Sequence, residues 1–179
     1  MGLSVSYFHL SKESFFEVKE KILNKGRVDI EKYSIEHFYI EKSFFGLEFI
    51  LMKGLGHLFE GIFAPKTSIC SINFESENFK KLSVDEQFEL FDSIPQESYM
   101  SPDRILEIFD QLNELKPHKI DEWYDFEELN KNKIYPEIWH NDNSENKAFN
   151  ARDLKENLIE LKEFLKKVTQ KRNSYIIVR

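Results

Sequence analysis

The chain holds 179 residues, 41% of them hydrophobic and 17 of them Phe, with a formal net charge of −7. That length suits one domain of the usual ~100–200 residues, and the apolar content excludes a largely disordered chain. A single cysteine, Cys70, excludes an internal disulfide and a multi-cysteine zinc site; the N-terminal MGLSVSYF lacks the basic start and long apolar run of a signal peptide, so a reducing cytoplasm is expected.

The charge is uneven. Residues 1–74 carry 9 basic and 9 acidic side chains, residues 75–145 carry 7 and 19, and residues 146–179 carry 9 and 4. An acidic middle disfavours nucleic acid and anionic membrane and favours a basic protein partner. A basic last helix lying beside that middle would instead cancel much of the field.

Leu3 to Leu10 alternates and reads as an opening strand with both faces covered. Ser11 is placed to cap a helix that runs to about Lys25 and ends at Gly26, with Phe15, Val18 and Ile22, joined by Phe16 and Leu23, as its apolar stripe. Residues 27–37 are a polar connection with room for a short helical turn. Glu41 to Gly54, EKSFFGLEFILMKG, is the least polar run: Phe44, Leu47, Leu51 and Gly54 share one helical face, and Phe45, Phe49, Ile50 and Met52 spread apolar surface around the rest. It is far shorter than the ~20 residues that cross a bilayer, so it reads as a core helix that Gly54 and Gly56 end. Glu48 is its one internal charge, with two readings: a carboxylate held by a partner at the helix edge, or a working carboxylate in a pocket.

One or both of His57–Ala64 and Ser68–Phe74 read as strands. Val84, Phe88 and Phe91 have helical spacing, with a strand over Phe88–Ile94 as the rival reading. Ser101-Pro102-Asp103 is a helix start, followed by Ile105, Ile108, Phe109, Leu112 and Leu115 as a buried stripe and stopped at Lys116-Pro117. Ile120–Leu129 reads as one short acidic helix. The last helix spans about Asn150 to Gln170, with Leu154, Leu158, Leu161, Leu165 and Val168 as one seam, and Tyr175–Val178 closes as a strand. Strands near both termini with helices mainly between them predict one α+β domain over residues 1–179, a small mixed or antiparallel sheet with about five helices packed on it.

No Walker loop, dinucleotide fingerprint or nucleophile elbow occurs, and the five histidines are scattered without helical zinc spacing. Glu137, His140 and Asp142 crowd around Trp139, a pattern that adjacent hydrophilic residues give by chance. No catalytic residue, metal or cofactor is therefore assigned. The aromatic and acidic set Trp123, Tyr124, Tyr135, Glu137 and Trp139 suits a binding hot spot, a small pocket or a core cluster.

Three pieces line up in order: MGLSVSYFHLS, EKSFFGLEFILMKG, and YMSPDRILEIFDQL followed about twenty residues later by IYPEIW. Together they resemble the YfbM-like family of uncharacterised bacterial proteins over nearly the whole chain. The resemblance implies a single cytoplasmic α+β domain and no established activity. Members often carry Trp-His where this chain has Phe44-Phe45 and a second His where it has Glu48; if those histidines do any chemistry, this chain has lost it, and if the helix is simply core, the favoured reading, Phe is a fair replacement.

Three functional readings follow. The leading one is a non-enzymatic protein-binding module, with an immunity or antitoxin-like role as one form, that presents Asp121, Glu122 and Asp125 to a basic protein. The second is a small-molecule enzyme or sensor with a pocket near Glu48, Tyr135, Glu137 and Trp139. The third is a structural subunit of a homo-oligomer built through the last helix.

Overall fold

The computed structural model describes residues 3–24, 26–72 and 76–179. The expected helix end at Lys25 and strand end at Phe74 lie outside the described residues. Five strands, β1 (Ser4–Leu10), β2 (Glu36–Glu41), β3 (Ser68–Cys70), β4 (Gln96–Met100) and β5 (Tyr175–Val178), form one sheet in the order β2-β1-β5-β4-β3, every pairing antiparallel. The two ends of the chain thus meet at its centre, where Phe8 lies opposite Ile177.

Alternation sorts the strand residues onto two faces. Val5, Tyr7, Ile40, Met100, Ile176 and Val178 face the larger core. It is built with α2 (Phe44–Leu55), α5 (Pro102–Glu114) and α8 (Ala151–Thr169), helices that pack on one another in pairs through α8. Phe8, Leu10, Ile69 and Ile177 face the smaller core, covered by Phe15, Val18 and Ile22 of α1 (Lys12–Leu23). All five seam residues of α8 are buried inside the domain, so that seam offers no surface to a second copy. No described helix is long and apolar enough to cross a membrane.

Helix starts fall where their caps place them. Ser11 accepts from the amide of Ser14, Ser101 from that of Arg104, and Asn150 from that of Asp153. The remaining helices are α3 (Glu77–Lys80), α4 (Val84–Ser93), α6 (Lys119–Trp123) and α7 (Phe126–Lys131), giving eight described helices where about five are expected. One expected helix is split: the Asp125 carboxylate accepts from the amides of Glu127 and Glu128 and opens α7, which leaves α6 as a separate short helix.

Several expectations are corrected. Of the two strand candidates, Ser68–Phe74 holds β3, while His57–Ala64 is a 3-10 turn and loop. Phe16 and Leu23 are exposed, because the stripe through Phe15, Val18 and Ile22 already fills the space over the sheet. Glu41 belongs to β2, a strand hidden in sequence because among its side chains only Ile40 is buried. β4 is hidden likewise, with Met100 as its one buried residue.

Gly54 is also reassigned. The positive-φ C-cap is Gly56 alone, at φ 97°, and Gly54 lies within the helix. A Cβ at Gly54 would overlap the Trp123 ring, and a Cβ at Gly46 would overlap the Trp139 ring. Both glycines are there for close approach, each giving an indole a seat on α2. In an exposed helix Gly→Ala gains about 0.5–1 kcal/mol. Gly46→Ala is instead expected to destabilise by about 1–3 kcal/mol through overpacking, and denaturant melts should show that cost shrinking in a Trp139→Leu background.

His9 is buried on β1, its Nε2 2.9 Å from the Ser174 hydroxyl, while Nδ1 has no hydrogen-bond partner. Burial, then Lys171, push its pKa below the ordinary histidine value, with Glu36 opposing. The unfolded chain therefore takes up a proton at a pH where the folded chain does not, so this contribution falls away as pH drops below about 6.5. Melting temperatures from pH 7.5 to 5 should decline more steeply for the wild type than for His9→Gln.

Candidate functional site

The residues selected from the sequence gather around α2 and divide into three environments. Trp139 is core: it is 2% exposed, rests on Gly46, and donates Nε1–H to the Ile134 carbonyl at 2.8 Å. Trp123 is half-buried against Gly54. Glu137 is exposed on the loop after α7, where it adopts φ 62°.

Glu48 and Tyr135 are brought together across a groove of about 310 Å³ between α2 and that loop. Its α2 wall is Phe45, Phe49 and Met52, at i, i+4 and i+7, which the core leaves half-covered. The opposite wall is Ile134 and Tyr135, with Lys133 at φ 54° beside them. This loop is tied down: Ile134 N–H donates to Leu129, Glu137 N–H donates to Ile134, and the Asn130 amide bonds both the N–H and the carbonyl of Trp139.

The Glu48 carboxylate reaches from α2 to the segment 61–63. It accepts from the Phe63 amide at 3.2 Å, and the amides of Gly61 and Ile62 also favour its ionised form. Burial outweighs them and holds its pKa above the ordinary carboxylate value. From the other side the Tyr7 hydroxyl donates to the Ile62 carbonyl, so this segment is pinned between β1 and α2.

The three acidic residues expected to meet a partner already have internal ones. Asp121 pairs with Lys155 of α8 at 2.9 Å and Glu122 with Lys119 at 2.7 Å, while Asp125 caps α7. The neighbouring Glu128 pairs with Lys53. Among the described residues one cation of the last helix, Lys155, makes an ion pair with a carboxylate of the acidic middle.

The feature whose exposure the sequence pattern did not announce is α4. None of its residues is buried, and Val84 and Phe88 are 66% and 65% exposed. Two stripes run along it side by side at i, i+4 and i+7: Val84, Phe88 and Phe91, and Asp85, Glu89 and Asp92. Asp85, Glu89 and Asp92 make no ion pair among the described residues, in contrast to Asp121 and Glu122. A capping box fixes the helix start, the Ser83 hydroxyl accepting from the Glu86 amide and the Glu86 carboxylate accepting from the Ser83 amide. Both stripes are readable from spacing; which way the apolar one faces is not.

Other constellations do not assemble. His9 and Ser174 touch, but Ser174 is buried, its hydroxyl donates to the Lys171 carbonyl, and no carboxylate bonds His9 Nδ1. Glu137, His140 and Asp142 do not converge, and among the described residues no group of three or more His, Cys, Asp or Glu is arranged to hold a metal.

Glu48 makes a direct test of this geometry. Glu48→Ala should cost about 1–3 kcal/mol in chemical denaturation, the penalty of leaving the Phe63 amide without its acceptor. Glu48→Gln, which keeps an acceptor oxygen, should cost less. Because burial raises the folded pKa of Glu48, its contribution to stability should increase as pH falls through that value, a trend absent in Glu48→Gln.

The profile of a domain of unknown function, DUF1877, matches residues 1–178. Among solved structures, the crystal structure of YfbM from Escherichia coli, a protein of unknown function, superposes with a TM-score of 0.61 at 13% sequence identity, covering 98% of this chain and 99% of that one. No curated protein matches the chain. An identity that low carries the fold and nothing about activity, but with the order of strands and helices described above it agrees with the family profile: the chain belongs to the DUF1877 family, the YfbM-like domains of unknown function.

Proposed function

We propose that this protein is a non-enzymatic binding module and that α4 is the surface on which it holds a basic, amphipathic segment of another protein. The observation that carries this reading is the exposed pair Val84 and Phe88 beside the carboxylates of Asp85, Glu89 and Asp92, on a helix with no buried residue. Exposing two large apolar side chains so fully on one short helix offers a partner a ready apolar contact. The adjacent carboxylates select the partner's sign: a Lys- or Arg-bearing segment is steered in and paired, whereas a second copy would bring like charge against like.

This moves the proposed contact away from Asp121, Glu122 and Asp125, whose charges are occupied within the fold, while keeping the acidic middle of the chain as its source. A role of immunity or antitoxin type, in bacterial cytoplasm, is one form such a module takes.

The test is affinity purification of the tagged chain at low and high salt, comparing wild type with Val84→Ser/Phe88→Ser, Asp85→Lys/Glu89→Lys and Asp121→Asn. Exposed positions should change stability by no more than about 0.5 kcal/mol, so all variants should melt close to wild type. A stoichiometric basic partner should be lost at high salt and with either α4 variant, at a cost of about tenfold or more in affinity, and kept with Asp121→Asn. A partner indifferent to the α4 variants, or a chain that purifies alone, would overturn the reading.

A further inference from the structure

The groove beside Glu48 is separate from α4 and carries its own inference. Its walls are apolar and aromatic on both sides, from Phe45, Phe49 and Met52 of α2 to Ile134 and Tyr135 of the tied-down loop. About 310 Å³ lies at the lower end of the volumes that small ligands occupy, and a loop fixed from behind by Trp139 and Asn130 needs little ordering when one enters. Glu48 is the one acidic residue that lines this groove, and its carboxylate is fixed by the Phe63 amide.

The chemistry of the lining discriminates among ligands. A neutral apolar molecule would cover the Glu48 carboxylate and leave it with less solvation. A carboxylate ligand would bring like charge to it. An ammonium on an apolar body satisfies both parts, pairing with Glu48 where water is thinned and lying beside the faces of Phe45, Phe49 or Tyr135. Lys133 is the lining residue that opposes this; its side chain is exposed, whereas Glu48 is half-buried.

We propose that the α2 groove is a binding site for a small primary amine with an apolar, arylalkyl-sized body, with Glu48 as the counter-ion and the Phe45–Phe49–Met52 stripe as the seat of the apolar part. The proposal does not depend on α4, and loss of either leaves the other standing.

The experiment is calorimetric or NMR titration of the full chain at pH 7.5 with three matched probes: 2-phenylethylamine, 2-phenylethanol and 3-phenylpropionate. Saturable binding of the amine is expected with Kd of about 1 mM or below, with the alcohol and the acid at least about tenfold weaker. Glu48→Gln should weaken the amine by about tenfold or more while leaving the alcohol unchanged, and Lys133→Glu should tighten the amine. Should Glu48→Gln fail to fold, Lys133→Glu decides, since that position is exposed and its backbone conformation suits Lys and Glu equally. No saturation by the amine up to about 10 mM, equal binding of the three probes, or affinity indifferent to the Lys133 and Glu48 substitutions would overturn the proposal.

Discussion

The fit of two indoles onto two glycines of α2 is the constraint on which the rest of the structure depends. Trp139 rests on Gly46 and Trp123 on Gly54, positions eight residues apart on the same helix. Between them they dock the whole segment from α6 to the loop after α7 onto a helix whose inner surface is already committed to the sheet and to α8. Because the indoles need backbone-level contact, neither glycine can carry even a methyl without displacing a ring. The groove beside Glu48 is a by-product of this arrangement. The Trp139 indole holds the Ile134 carbonyl, and Ile134 and Tyr135 then stand opposite the part of α2 that the core leaves half-covered.

Electrostatics divide the acidic middle of the chain into two populations. Asp121 and Glu128 meet lysines of α8 and α2 and help dock the segment, Glu122 pairs with Lys119 within α6, and Asp125 caps α7. Individually such exposed pairs are worth about 0–1 kcal/mol each, and their importance lies in where they leave charge uncompensated. Asp85, Glu89 and Asp92 of α4 are on the other side of that division. They sit on α4, between β3 and β4, a helix with no buried residue, beside the exposed Val84 and Phe88. A linear count of charges cannot separate the two populations, since both lie within the same acidic stretch.

The elements that could be read directly are those whose local chemistry and tertiary role agree. Ser101-Pro102-Asp103 opens α5, Ser11 opens α1, and the leucine seam of α8 is buried along its length. The ones that could not are those where the sheet overrules the pattern. β2 and β4 each bury a single strong side chain, and they are strands because β1 and β5 offer them hydrogen-bonding edges, a reason located elsewhere in the chain. The candidate site shows the same split: Glu48 stands out as a lone charge in an apolar helix, while its Phe63 partner is fifteen residues away and its groove neighbour Tyr135 is further still.

By itself the sequence determined the class of the fold, the strands at both ends, the caps of the long helices, the core helix at its centre and the family, because each of these is written in local spacing and in motifs that keep their order. Only the tertiary structure decided the rest. It assigned Gly46 and Gly54 to the tryptophans, paired Asp121 and Glu122 with lysines, left Val84 and Phe88 of α4 exposed and drew Glu48 and Tyr135 into one groove. The physical reason is common to all four. A side chain's spacing sets which neighbours it keeps on its own element, whereas its exposure, its charge partner and its pocket are set by segments that meet it only after the chain has closed on itself.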